Sequence, residues 1–285
     1  MKKAQWITVG VSFLLVIGLY AATQPRLFGE RKVKNSDDGH GHDEPAEGLL
    51  TADSILYYAK QNLTEGQVTR LTQLENSVTR GDVADQKLHV YHQLAAFWRD
   101  SARIFAPFAF YTAEAARLEN SEKSLTFAAH LFLNNLSFEE SQRLKQWEAT
   151  EAKDLFERSL KLNPDNDSSK VGLGATILYG GMGMPMEGIQ MIRSVVEKDS
   201  TNTFAQMTLA KASLMSGQLD KALERLNTVV RLEPENLEAV LLMAEVKERS
   251  GDKAEAIRWY QKSLELLPNK DFRQEVEKRI TELKK

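Results

Sequence analysis

The chain has no cysteine anywhere in its 285 residues. That excludes disulfides, thiolate catalysis, cysteine-ligated zinc and a lipid-modified N-terminal cysteine, and leaves reducing and oxidising compartments equally open. Charge of one sign is also scarce: 37 Lys and Arg stand against 40 Asp and Glu, intermixed, for a formal net charge of -3. Nucleic acid is not an expected partner, because binding it needs a basic stripe that this pattern does not supply.

Chemistry-bearing motifs are missing too. There is no G-x-S-x-G, no H-E-x-x-H and no P-loop. "GLGATI" (172–177) begins like a dinucleotide-binding loop but ends in Ile177 and follows no strand, so it reads as a close helix–helix contact. His89 and His92 share a "HVYH" spacing without a third ligand and read as surface residues. No enzyme is expected, and no cofactor.

Only one long hydrophobic run is present. Lys2 and Lys3 precede the 17 uncharged residues from Trp6 to Ala22, close to the roughly 20 residues that span a bilayer. A cleaved signal peptide fits less well, since Leu19 or Tyr20 falls where a cleavage site wants a small residue. Residues 1–22 are therefore expected to be a single-pass transmembrane anchor. The short basic head stays cytoplasmic and the bulk of the chain lies on the extracytoplasmic, periplasmic side. Residues 23–48 mix Pro, Gly and both charges with few apolar side chains, which is the composition of a disordered linker.

From Leu49 onward the apolar period is helical and no alternating run argues for a strand, so the fold class is all-α. "TEGQ" (64–67) and "SFEE" (137–140) have capping-box form, and Val68, Leu71, Leu74 and Val78 make an apolar stripe. Residues 203–236 and 237–270 are each 34 long and align without a gap. Leu209 falls on Met243, Ala210 on Ala244, Gly217 on Gly251, Ala222 on Ala256, Leu226 on Tyr260 and Pro234 on Pro268. Small residues at the crossing let two antiparallel helices approach, Leu226 and Tyr260 fill the gap to the next hairpin, and the glycines end the first helices at positive φ.

This register resembles the tetratricopeptide repeat (TPR) family. The resemblance implies a right-handed solenoid of antiparallel helix hairpins. Residues 49–147 hold degenerate repeats, 148–270 the repeat array and 271–285 a capping helix. Within the array Ala152, Phe156, Ser159 and Pro164 take second-helix positions, Leu173 and Gly174 open the next unit, and Gly188 replaces its usual alanine. "GGMGMPM" (180–186) then becomes a turn two residues longer than its siblings, with Met182, Met184 and Met186 as apolar filler at the hairpin end.

The family's ligand-contacting positions on first helices fall here on Val171, Ala175, Leu178 and Tyr179, then on Phe204, Met207, Lys211, Leu214 and Met215, and last on Glu238, Leu241, Glu245, Glu248 and Arg249. A carboxylate clamp is excluded, since it wants Lys and Asn where Val171/Ala175, Met207/Lys211 and Leu241/Glu245 stand. The resemblance thus implies a membrane-tethered adaptor that holds a protein or peptide in an apolar, Met-containing concave groove with an acidic rim. Two rival readings remain. One is a metal-handling protein using His40, His42 and the Met182–Met186 turn. The other is an accessory subunit of an envelope enzyme complex, as in cytochrome c maturation.

Overall fold

The computed structural model describes residues 50–80, 84–267 and 269–285. The run Trp6–Ala22, the linker with His40 and His42, and Pro268 lie outside the described residues. Every regular element among the described residues is helical, and they fall into two compact units divided between Pro185 and Met186.

In the N-terminal unit α1 (Ala52–Lys60), α2 (Glu65–Arg80) and α3 (Ala84–Ala96) lead into a six-residue π-helix (Phe97–Ala102). After it come α4 (Phe105–Glu119), α5 (Glu122–Asn135), α6 (Gln142–Leu162) and α7 (Asp167–Gly180). The Thr64 box closes as read: Thr64 N–H donates to Gln67 Oε1 at 3.0 Å and Gln67 N–H to Thr64 Oγ1 at 3.4 Å. A second box at Thr51 and Ser54 starts α1. The box read at Ser137–Glu140 is corrected. Helix α6 begins later, capped by Ser141, whose own N–H is taken by Glu139 Oε1 at 2.7 Å.

Leu71 is buried and Leu74 half-buried, but Val68 faces solvent, so the stripe on α2 is narrower than its spacing suggests. Leu71 packs with Leu94, Phe97, Trp98, Phe108 and Tyr111. The π-helix ends at Arg103, whose φ of 56 is left-handed, and Ile104 N–H returns to Trp98 O at 3.0 Å. A π turn shifts helical phase, which interrupts any regular repeat register between α3 and α4.

Helix α6 runs unbroken through residues 147 and 148, so the boundary between degenerate repeats and array falls inside a 21-residue helix. Its Ala152, Phe156 and Ser159 are fully buried, and Gly172 of α7 lies directly against the Phe156 ring.

The C-terminal unit holds α8 (Pro185–Lys198), α9 (Thr203–Met215), α10 (Leu219–Leu232), α11 (Leu237–Arg249), α12 (Lys253–Leu266) and α13 (Lys270–Leu283). Helices α9 and α11 start 34 residues apart, as do α10 and α12, and Gly217 and Gly251 take φ of 74 and 84 in the turns. Ala222, Leu226, Ala256 and Tyr260 are buried at the helix crossings, as the register requires.

The methionine turn distributes its two extra residues. Helix α7 has 14 residues where α9 and α11 have 13, and the connection 181–184 has one residue more than 216–218 or 250–252. Gly181 and Gly183 adopt positive φ, and Pro185 sits at the first position of α8, where its missing N–H is harmless. Met182 is half-buried. Met184 and Met186 are not filler, being 72% and 53% exposed.

Candidate functional site

The nine groove residues divide between the units. On α7, Val171 and Ala175 are buried while Leu178 and Tyr179 are half-buried. On α9, Met207 and Leu214 pack with Ala210, Ala222, Leu242 and Met243, whereas Phe204 and Met215 are exposed. Val171, Ala175, Met207 and Leu214 are therefore core residues, because a first helix in a stack has neighbours on both sides.

The acidic rim on the C-terminal unit is consumed by internal ties. Lys211 of α9 pairs with Glu238 of α11 at 2.6 Å. Arg249 reaches Glu245 at 3.4 Å and donates from Nη2 to Leu214 O at 3.2 Å. Glu248 accepts from Tyr260 Oη at 3.0 Å and from Arg279 Nε at 3.1 Å, and Arg279 also holds Glu282 at 2.9 Å. Burial lifts Glu245 above the ordinary carboxylate range against the pull of Arg249. Burial and then Glu248 lift the Tyr260 phenol, and the Glu248 hydrogen bonds keep Arg279 firmly charged. These contacts bind α9 to α11 and α11 to α13, leaving the face few free charges.

The N-terminal unit is different. A depression of about 570 Å³ is lined by Glu122, Lys123, Thr126, Phe127, His130 and Asn166. Behind Thr126 lies a buried ring of three hydroxyls from three helices: Thr126 to Ser159 at 2.8 Å, Ser159 to Ser169 at 2.9 Å and Ser169 to Thr126 at 2.9 Å. Asn166 caps α7 through Ser169 N–H and donates from Nδ2 to Thr126 and Glu122, while Asn163 donates a second amide to Glu122 at 2.9 Å. His130 Nε2 lies 2.9 Å from Ser168 Oγ, its ring edge-on to Phe156. Burial holds its pKa below the ordinary histidine value, so the imidazole is neutral at pH 7. Above these satisfied polar groups stand the exposed Lys123 and the Phe127 ring, 59% exposed.

Sequence reasoning missed this site because the connection 136–141 is twice as long as the three-residue turns and hides α5 as a first helix. One signal was available. Asn166, Asn202 and Asn236 cap α7, α9 and α11 by side-chain bonds to the third helical residue, and Ser121 does the same for α5. In that register Lys123, Thr126 and His130 take the first-helix positions held by Glu238, Leu241 and Glu245 on α11.

Residues 213–274 match the family model described as tetratricopeptide repeat. Solved structures with a similar trace include YrrB, described as a TPR protein with an unusual peptide-binding site, at 15% identity and a TM-score of 0.43 over 72% of this chain and 97% of that one. A MamA fragment from Desulfovibrio magneticus RS-1 shares 22% identity, with a TM-score of 0.44 over 65% and 96%. PilW, a type IV pilus biogenesis factor, shares 18%, with a TM-score of 0.47 over 68% and 92%. The search of curated proteins returned no match. No described helix is long and apolar enough to cross a membrane.

Proposed function

We propose that this chain is a non-enzymatic scaffold, its hairpins stacked as a right-handed solenoid behind an N-terminal transmembrane helix, which takes a peptide on the α5 face of its N-terminal unit. The observation that carries the reading is the exposed Phe127 ring beside Lys123, over a floor whose polar groups already satisfy one another. A preformed polar floor needs no reorganisation, so an apolar side chain can cover the ring while a neighbouring acidic residue meets the ammonium group. The fitting partner is a segment with an apolar residue next to an acidic one. Tethering rests on the uncharged run Trp6–Ala22 and the polar linker after it.

The test is partner capture by full-length protein in its native membranes. Phe127→Ala combined with Lys123→Glu is expected to weaken capture tenfold or more, with helical circular dichroism and melting unchanged. Tyr179→Ala with Met215→Glu interrogates the first-helix face read from sequence. Glu224→Ala on the exposed side of α10 is the control; Arg225 would be a poor one, because it donates to buried Gln206 at 3.0 Å. Normal capture by the Phe127 and Lys123 variant removes the α5 face from the mechanism.

A further inference from the structure

Glu148, in the second turn of α6, is fully buried. Asn135, the last residue of α5, donates from Nδ2 to Glu148 Oε1 at 2.8 Å, and Oε2 has no hydrogen-bond partner among the described residues. The Asn135 carbonyl accepts the N–H groups of Phe138 and Glu139 at 2.9 and 3.0 Å, the start of the connection 136–141. One residue therefore holds both the carboxyl and the connection beside it. A buried carboxylate with a single donor is costly, whereas a neutral carboxylic acid in the same place is not.

We infer that Glu148 is a proton-operated clasp: with a proton on Oε2 it stays closed beneath the α5–α6 connection, and its ionisation opens that connection to solvent. Burial pushes the carboxyl up to about 8; the Asn135 hydrogen bond opposes this, Glu139 adds to it and Lys145 opposes it. Groups on the other packed elements are committed or distant in the chain. Arg117 of α4 holds Glu114, Glu151 and Asp154, and His130 of α5 meets Ser168. On α7 the titratable residues are Asp167, Lys170 and Tyr179.

The direction in pH follows from proton counting. The closed form keeps its proton up to about 8 while an opened, hydrated carboxyl loses it in the ordinary range near 4.5. Closure is therefore complete at low pH, weakens progressively as pH rises between those values, and changes no further above the upper one. Across that window the opening equilibrium grows about tenfold per pH unit, the slope of one linked proton.

Amide hydrogen exchange on the full chain between about pH 5.5 and 8.5, corrected for intrinsic exchange, tests this. In the wild type, the opening equilibrium read from corrected exchange over 136–149 should climb about tenfold per pH unit and then level near pH 8. Glu148→Gln and Glu148→Met should flatten that climb, while amides of α10 and α11 behave alike in all three proteins. A flat wild-type profile overturns the clasp even if neither variant folds, and so does an equal slope in folded variants.

Discussion

Gly172 of α7 sits so close to Phe156 of α6 that a methyl group in place of its hydrogen would overlap the ring carbons. Both residues are buried. Gly172→Ala is therefore expected to cost about 1–3 kcal/mol despite the better helix propensity of alanine, because overpacking a rigid ring outweighs a gain of about 0.5–1 kcal/mol. Gly66→Ala, with open space around it in the first turn of α2, should be neutral or slightly stabilising. Thermal unfolding of the two variants checks the pair.

Ala222→Leu and Ala256→Leu should each destabilise by about 1–3 kcal/mol, since both alanines are fully buried at helix crossings. Lys253→Ala, on the exposed start of α12, should stay within about 0.5 kcal/mol of wild type. Unchanged melting of both leucine variants would place the crossings elsewhere.

Arg279→Met leaves Glu248, whose side chain is 9% exposed, without its cation, and is expected to cost about 1–3 kcal/mol. Adding Glu248→Met should recover part of that loss, because no charge then remains to be solvated. A double-mutant cycle in urea measures the coupling, and strict additivity would show that the pair does not tie α13 to α11.

Replacing Met184 and Met186 with leucine should move stability by less than about 0.5 kcal/mol, both side chains being exposed. If copper(I) is retained stoichiometrically by the wild type and lost on adding Met182→Leu, the turn handles metal after all.

Full-length protein is expected to fractionate with membranes and resist alkaline extraction, whereas a chain starting at Leu49 stays in the supernatant with its helical circular dichroism. Recovery of a mature form that begins near Thr23 would replace the anchor with a cleaved signal.

How far the sequence carried depended on whether two hairpins could be laid over each other. Between α9 and α12 they could, and Ala210, Gly217, Ala222 and Leu226 fall where the alignment put them. Upstream of α6 they could not, because the π turn at Phe97–Ala102 and the six-residue connection after α5 change the phase without leaving a compositional mark. Burial within the stack was also hidden. Met207 and Met215 are both methionines on one first helix, yet one is 6% and the other 69% exposed, and only neighbouring helices decide which. The Phe127 face stayed hidden for the first of these reasons.

The hydroxyl ring of Thr126, Ser159 and Ser169 brings together α5, α6 and α7 within 2.9 Å contacts that leave no room for adjustment along any helix axis. Sliding one helix by a single residue, about 1.5 Å, would break two of the three bonds at once and strand buried oxygens. The ring thus acts as a rivet. Shear between these helices costs buried hydrogen bonds that tilting about the ring does not, so motion in this part of the chain is expected to favour bending over sliding.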